Sequence, residues 1–160
     1  MAAPGQQARQ ARLVADAMLG RLARWLRALG YDTLYEQSWD DPTLARVARG
    51  EDRLLLTRDH ELARRRGLRA LLVASDRLPE QLAQVLPLLE RPAAGFGRCV
   101  ACNGALEEID RLSAEARVPE FIWETQSDFA LCRSCGRVYW RGSHWENMGR
   151  WLARRGLAAR

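Results

Sequence analysis

Short apolar runs alternate with helical patterns over the first half of the chain. Four runs have the length and apolar character of strands: residues 12–15, 31–35, 53–57 and 68–74. Between the first two, residues 17–29 carry leucines at three- and four-residue spacing, which is typical of an amphipathic helix. Strands that alternate with helices pair in parallel through right-handed crossovers. The pattern therefore predicts an α/β domain with a mostly parallel sheet over residues 11–92.

Residues that favour helix ends mark several boundaries. Asp41 followed by Pro42 predicts that a helix begins there, with Asp41 as its N-cap. Ser143 with Glu146 three residues later predicts a capping box at the start of a last helix. Gly20 lies inside the first helical pattern, where glycine costs about 1 kcal/mol relative to alanine. We therefore expect another part of the chain to approach Gly20 closely.

The pattern changes after residues 91–97, whose proline, glycine and alanine are typical of a linker. Two cysteine pairs, an aromatic cluster and a final helical pattern follow, and they predict a small zinc ribbon with a C-terminal helix over residues 93–160. Residues 1–10 lack the apolar core of a signal peptide and are predicted to form a flexible tail. The predicted organisation is therefore a tail, an α/β domain and a small second domain.

Composition adds a bias toward anionic partners. All 25 basic residues are arginines, against 20 acidic residues, which gives a net charge of +5. This balance is compatible with nucleic acid, whose phosphates suit the planar guanidinium group, although a biased genome would also produce it. No stretch approaches the roughly 20 apolar residues that cross a bilayer. We therefore expect a soluble, cytoplasmic protein with no membrane partner and with reduced thiols.

The four cysteines form two CxxC pairs, Cys99 with Cys102 and Cys132 with Cys135, separated by 29 residues. Two such turns supply the tetrahedral thiolate cage that structural Zn²⁺ prefers. Asn103 or a glycine follows the second cysteine of each pair, as a tight turn requires. The alternative, a redox disulfide, favours one CxxC beside a βαβ unit. The spacing indicates structural zinc.

Aspartates follow the ends of the predicted strands. Asp16 follows the first strand, Asp59 the third and Asp76 the fourth, while Asp40 and Asp41 open the helix before the third. In a parallel sheet these ends meet at one edge, where close carboxylates repel unless a divalent cation such as Mg²⁺ or Mn²⁺ lies between them. Each aspartate alone is more often a helix cap. The pattern leaves both interpretations open.

Several of these segments together resemble the Mut-seven C-terminal ribonuclease-like family. The segments are "DAMLGRLARWLRALGYDT", "DDPTLARVA", "LLLTRD" and "CGRVYWRGSHW", in that order, between about residues 12 and 152. The family is similar to PIN-domain nucleases and carries an appended zinc ribbon. The resemblance implies a PIN-like three-layer α/β fold and ribonuclease activity.

Carried over by position, the resemblance places the PIN-type catalytic cluster on four aspartates, Asp16, Asp41, Asp59 and Asp76, with Asp40 as the alternative to Asp41. These residues would bind the catalytic Mg²⁺ or Mn²⁺. Arg58 and Thr57, in the same segment as Asp59, can either position a phosphate or serve the turn. Asp32 and Asp110 are interpreted as surface or turn residues.

An arginine-rich aromatic segment follows the second cysteine pair. It offers phosphate contacts and stacking surfaces for unpaired bases, as single-strand RNA binders do. The candidate RNA-binding residues are Arg137, Tyr139, Trp140, Arg141 and His144. Alternatively, the aromatic side chains pack the ribbon against its neighbours.

The sequence therefore predicts a Mg²⁺- or Mn²⁺-dependent ribonuclease whose zinc ribbon assists binding of single-stranded RNA. The alternative is a non-catalytic RNA- or ribosome-associated module whose acids are structural, and a third possibility is a zinc-stabilised interaction protein. The sequence leaves open the RNA target, endo- or exonucleolytic cleavage, the preferred metal and the oligomeric state.

Overall fold

A computed structural model describes residues 11–92 and 96–157. The first half contains a four-stranded sheet formed by β1 (Leu13–Ala15), β2 (Thr33–Tyr35), β3 (Leu54–Thr57) and β4 (Ala70–Leu72). All neighbouring strands pair in parallel, in the spatial order β2-β1-β3-β4. The predicted α/β class with a parallel sheet is confirmed. The predicted tail, residues 1–10, lies outside the described residues.

Four helices cover the two faces of this sheet: α1 (Gly20–Ala28), α2 (Asp41–Gly50), α3 (His60–Ala63) and α4 (Leu78–Val85). Successive side chains of a strand point to opposite faces. Accordingly, Leu13 of β1 packs in the cluster that holds α1 and α4, whereas Val14 packs with α2 and α3. The result is three layers, helices on both sides of one sheet.

Local chemistry explains where the helices begin and how closely they pack. The carboxylate of Asp40, not Asp41, caps α2, because it accepts a hydrogen bond from the Thr43 amide at 2.9 Å. The predicted N-cap was therefore one residue too late. A Cβ on Gly20 would lie 2.7 Å from the Tyr35 hydroxyl, which confirms the expected close approach.

The second half contains a three-stranded antiparallel sheet, β5 (Leu106–Ile109), β6 (Phe129–Cys132) and β7 (Val138–Trp140), in that spatial order. The helices of this half are α5 (Arg111–Ala114), α6 (Glu120–Thr125) and α7 (Ser143–Ala153). The four cysteines lie around this sheet, an arrangement compatible with a zinc ribbon. None of the helices in the described parts of the chain is long and apolar enough to cross a membrane.

The last helix, α7, packs on the first domain. Met148 and Leu152 are buried in the same cluster as α1, and the Trp25 and Trp151 rings lie 4.9 Å apart. The predicted capping box is wrong: α7 begins at Ser143 itself, and Gly142 precedes it without a side-chain cap. The division of the chain near residue 92 stays a prediction. Although α7 follows that boundary, it completes the core of the α/β half.

Candidate active site and metal centre

The carboxyl ends of the four parallel strands form one edge of the sheet. Asp16 follows β1 directly, and Asp59 lies two residues beyond the end of β3. β1 leads through α1 to β2 on one side, and β3 leads through α3 to β4 on the other. The gap between β1 and β3 is therefore the topological switch point, where open α/β sheets bind their ligands.

Thr57 connects the two acids at this switch point. Its hydroxyl donates a hydrogen bond to Asp16 Oδ2 at 2.5 Å and accepts one from the Asp59 amide at 2.9 Å. Thr57 is fully buried and the side chain of Asp16 nearly so. The relative position of Asp16 and Asp59 is thus fixed by a hydroxyl group that cannot move away into solvent.

Each of these acids also caps the helix or turn that follows it. Asp16 Oδ1 accepts from the Met18 amide at 2.7 Å. Asp59 Oδ1 accepts from the amides of Leu62 at 2.9 Å and Glu61 at 2.7 Å, and these bonds hold the pKa of Asp59 below its ordinary value. The capping role that the sequence left open is therefore present. Both bonds to Asp59 use Oδ1, so that Oδ2 faces no partner among the described residues.

The other predicted acids lie farther along the edge. Asp40 caps α2, and hydrogen bonds from Thr43 lower its pKa. Asp41 forms an ion pair with Arg65 at 3.5 Å, and Asp76 is exposed. Within residues 11–92 and 96–157, no three carboxylates bring their oxygens within 4.8 Å of one another. Thr57 therefore links the Asp16 carboxylate to the backbone of Asp59, and no hydrogen bond or ion pair among the described residues joins Asp40, Asp41 or Asp76 to either acid.

Arg58 stands in the chain between Thr57 and Asp59. Its guanidinium Nε is buried and has no hydrogen-bond partner among the described residues. A buried donor of a charged group without a partner carries a free-energy penalty, and in native proteins it commonly marks a missing ligand, ion or water. The sequence left Arg58 between a phosphate contact and a turn role, and both stay predictions.

The four cysteine sulfurs form the second centre. Cys99 Sγ lies 3.6 Å from Cys135 Sγ, and Cys102 Sγ lies 3.5 Å from Cys132 Sγ. All four sulfurs lie within 4.8 Å of one another, and none is in a disulfide. Zn–S bonds of about 2.3 Å in a tetrahedron require sulfurs at nearly this separation. The cluster can therefore hold a metal ion such as zinc.

Local backbone geometry forms this cage. Asn103 and Gly136, each following the second cysteine of a pair, have φ of 66° and 75°, as the sequence predicted. A Cβ on Gly104 would lie 2.8 Å from Cys132 Sγ, so only glycine lets the two turns meet. Burial acts to raise the pKa of the Cys99 thiol, but the Tyr139 hydroxyl, 3.0 Å from Sγ, and nearby amides lower it to about 6.

Arg27 of α1 fastens the first cysteine turn to the α/β half. Its side chain is 4% exposed. Nε donates to the Thr33 carbonyl at 2.8 Å, and Nη1 donates to the carbonyls of Val100 at 3.0 Å and Ala101 at 3.2 Å. Burial lowers the pKa of Arg27, while Cys102 and Cys99 act to raise it. The cation thus joins the sheet to the loop that carries the thiolates.

Asp32 completes this junction. It accepts hydrogen bonds from Arg53 Nη1 at 2.8 Å and from Asn103 Nδ2 at 2.8 Å. Burial acts to raise the pKa of Asp32, but the bonds from Arg53 and Asn103 outweigh it and leave the pKa below its ordinary value. The interpretation of Asp32 as a surface or turn residue was wrong. No local signal marks the role, because Asn103 lies 71 residues away along the chain.

Three of the five predicted RNA-binding residues line a groove beside the cysteine cluster. Trp140, Tyr139 and His144 line this groove, whose volume is about 380 Å³. Arg141 is exposed and its guanidinium lies 4.6 Å from the centre of the Phe96 ring. Arg137 is exposed as well. The Tyr139 hydroxyl is engaged with Cys99, so it supports the cysteine cluster while its ring lines the groove.

Comparison with known proteins gives one family. No curated protein and no solved structure matches the chain. The model of the Mut7-C RNAse domain matches residues 11–152, a span that includes the acidic edge, the cysteine cluster and most of α7. Because this match covers nearly the whole chain, the protein belongs to the Mut7-C RNAse domain family.

Proposed function

We propose that the protein hydrolyses RNA phosphodiester bonds at the edge formed by Asp16 and Asp59, with a divalent cation as cofactor. Family membership supports a ribonuclease-like role. The observation that carries the proposal is the hydrogen-bonded series Asp16–Thr57–Asp59 at the switch point of the sheet. A helix cap alone does not need the buried hydroxyl that ties Asp16 to the segment of Asp59.

The donor set at this edge suits Mg²⁺ or Mn²⁺. Mg²⁺ keeps several waters and binds proteins through one or two carboxylates, so Asp16 and Asp59 suffice to hold it. Each carboxylate offers about four acceptor positions, and the hydrogen bonds described above occupy only some of them. Asp41 or Asp40, and Asp76, are proposed to complete the catalytic cluster from the rim. The bound ion would supply charge stabilisation and a more acidic attacking water.

The residues of the chain would position the ion and the substrate. Asp16, held by Thr57 and the Met18 amide, fixes the position of the ion relative to the sheet. Arg58, which stands between Thr57 and Asp59 in the chain, would turn its unpartnered Nε–H, buried in this structure, toward a non-bridging oxygen of the scissile phosphate when RNA binds. Positioning of this kind is the main protein contribution to phosphoryl chemistry.

The cysteine cluster is proposed to hold a structural Zn²⁺. Four thiolates fill the tetrahedron and leave no open position for a substrate. The ribbon would then present Arg137, Trp140, Arg141 and His144 to a single strand of RNA, with Tyr139 as a fixed wall of the groove. Zinc would therefore contribute to folding and to the shape of the binding surface.

The decisive experiment is cleavage of a labelled single-stranded RNA with Mn²⁺ or Mg²⁺, resolved on a gel. We expect products with the wild-type protein and none with Asp16→Asn or Asp59→Asn, while zinc content and the melting temperature stay near wild-type values. Asp110→Asn is the matched control, because Asp110 also caps a helix but lies in the ribbon. Equal cleavage by all four proteins would exclude the acidic edge as the site.

One observation favours a second candidate, a non-catalytic RNA-binding module. Asp16, Asp40 and Asp59 all act as caps, which is the structural role that this candidate requires. It predicts salt-dependent RNA affinity that does not respond to Mn²⁺, and no products on the gel. A titration of RNA with and without Mn²⁺ separates the two candidates.

A further inference from the structure

The groove beside the cysteine cluster is lined by aromatic and aliphatic side chains in about equal number. The lining residues that matter here are Phe96, Arg98, Tyr139, Trp140, His144 and Trp145. No carboxylate is among the described residues that line it. The one cation of the lining, Arg98, lies 3.9 Å from Asp32 and donates to the Asn103 carbonyl. The groove is therefore mainly an apolar and aromatic surface, and its volume of about 380 Å³ lies in the range of small-ligand sites.

The walls of the groove are held in place before any ligand arrives. The Tyr139 hydroxyl is bound to Cys99, which fixes its ring. A Cβ on Gly142 would lie 3.2 Å from the Trp140 indole, so the glycine allows the ring to lie against the backbone. The indole N–H of Trp140 makes no hydrogen bond within residues 11–92 and 96–157 and stays available to an acceptor on a ligand.

A row of arginines on α1 leads from the acidic edge to this groove. Arg21 and Arg24 are exposed, and neither forms an ion pair in the described part of the chain. Arg21, Arg24 and Ala28 are spaced by three and four residues, so they lie along one ridge of the helix. The ridge starts just after Asp16 and the short turn Ala17–Leu19, and Ala28 at its far end lines the groove.

We propose that the groove takes one unpaired nucleobase of the RNA strand, while the phosphates of that strand follow the ridge of Arg21 and Arg24 from the acidic edge. This inference rests on the proposed function and assigns it a substrate path. Stacking on aromatic rings is the usual way in which proteins hold unpaired bases, and it tolerates any base sequence.

The geometry gives the path a length. α1 has nine residues and therefore spans about 13 Å at about 1.5 Å per residue. A stacked strand advances about 3.4 Å per nucleotide, and the turn Ala17–Leu19 adds to the length of α1, so at least about four nucleotides separate the scissile phosphate from the base in the groove. Shorter RNAs reach only one of the two sites and are expected to be poor substrates.

The test compares binding of two ligands by fluorescence anisotropy, without added Mg²⁺ or Mn²⁺. One is a single-stranded RNA of about ten nucleotides, and the other is a ribose-phosphate strand of the same length without bases. The wild-type protein is expected to bind the RNA about tenfold more tightly than the baseless strand, the value of about one stacked base. Trp140→Leu is expected to lose this preference and to bind the baseless strand as the wild type does.

Substitutions in the arginine ridge are expected to change the affinity for both ligands rather than the preference for bases. Arg21→Gln with Arg24→Gln is expected to weaken both ligands equally and to reduce the dependence of log affinity on log salt by about 1.4, since each lost phosphate contact on a single strand contributes about 0.7. Trp123→Leu is the matched control, because Trp123 lies on α6 and donates to the Arg111 carbonyl rather than lining the groove. It should bind both strands like the wild type.

The proposal is overturned if Trp140→Leu keeps the preference for bases. The same result is expected if the groove binds a protein segment instead of a base. If Trp140→Leu fails to retain zinc, His144→Ala, a change at an exposed residue of the groove, gives the same comparison. Cleavage is scored separately with Mn²⁺. If Trp140→Leu loses the base preference but the wild type does not cleave RNA, the groove is supported as a base site and the proposed nuclease activity is rejected. If the wild type cleaves RNA but Trp140→Leu keeps the preference, the nuclease activity is supported and the base site is rejected.

Discussion

At the scale of single residues, Thr57 links the two acids of the proposed site. It is the last residue of β3, it is fully buried, and its hydroxyl forms hydrogen bonds with both the Asp16 carboxylate and the Asp59 backbone amide. The sequence marked Asp16 and Asp59 because each follows a strand. It could not mark the bond between Asp16 and Thr57, because that bond depends on the pairing of two strands 41 residues apart.

Thr57→Val tests this role, since valine has the same shape without the hydroxyl. Asp16 Oδ2 and the Asp59 amide both lose a partner, so we expect a loss of stability of about 1–3 kcal/mol. We also expect cleavage to fall by about 10- to 100-fold, as for other residues that orient metal ligands. Denaturant unfolding and gel cleavage measure the two effects. Thr57→Ser keeps the hydroxyl and should restore most of the activity, and wild-type rates in the valine variant would exclude the role.

Arg58→Lys tests the phosphate contact. Lysine keeps the charge but has no Nε–H in this position, so the proposed contact with the scissile phosphate would be lost. We expect kcat/KM to fall about tenfold, the value of one hydrogen bond to a charged group of about 1.5 kcal/mol. Steady-state cleavage kinetics measure the change. Arg117→Lys, at an exposed position of the ribbon, is the control, and an equal loss in both variants would reject a specific contact.

At the scale of elements, the alternation of apolar and helical segments was sufficient to predict the parallel sheet. The burial of Val14 on one face and Leu13 on the other agrees with the requirement that strands of a parallel sheet be apolar on both sides. Helix starts were less predictable. Adjacent residues compete for the cap, as Asp40 and Asp41 do, and the chain direction entering a helix decides between them.

A pair of substitutions at Asp59 separates helix capping from chemistry. Asparagine is as good an N-cap as aspartate, whereas alanine is not. Asp59→Asn should therefore abolish cleavage at an unchanged melting temperature, and Asp59→Ala should abolish cleavage and lower the melting temperature. Thermal unfolding followed by circular dichroism, together with the gel assay, gives both readouts. Activity that persists in Asp59→Asn would reduce Asp59 to a structural cap.

The same cap makes stability depend on pH. Because hydrogen bonds from the amides of Leu62 and Glu61 lower the pKa of Asp59 in the folded protein, its ionised form stabilises α3. This contribution is complete above the unfolded pKa of about 3.9 and is lost as the pH falls through the lower folded value. Between pH 5 and pH 3, the melting temperature of the wild type should fall further than that of Asp59→Asn. Protonation of the cysteine thiolates affects both proteins in the same way. An equal fall of the melting temperature in the wild type and in Asp59→Asn would therefore contradict the stabilising role of ionised Asp59.

At the scale of the whole molecule, the two sheets are joined by buried polar contacts as well as by apolar packing. Arg27 reaches from α1 to the carbonyls of the first cysteine turn, and Asn103 reaches back to Asp32. The CxxC spacing was enough to predict a metal cage. It contained no information on how the cage is attached, because an arginine on a helix is ordinarily exposed, and the burial of Arg27 is visible only in the assembled structure.

Arg27→Met tests the attachment. Methionine fills the aliphatic volume but leaves three carbonyl groups without their donor, so we expect a loss of at least about 2 kcal/mol of stability. Zinc should also be removed more readily by a chelator, since the loop of Val100 and Ala101 loses its anchor. Denaturant unfolding and the rate of zinc release to a coloured chelator measure both effects. Arg24→Met, at an exposed position of the same helix, should leave both near wild-type values.

The packing of Trp151 against Trp25 has a practical consequence for anyone dividing this protein. A fragment that stops near residue 92 keeps the acidic edge intact but uncovers the side of α1 that Met148 and Leu152 normally occupy. Such a fragment would expose an apolar surface of α1 to water and self-associate. Aggregation of a truncated protein would therefore not count against the proposed nuclease activity. The last helix must accompany the first sheet.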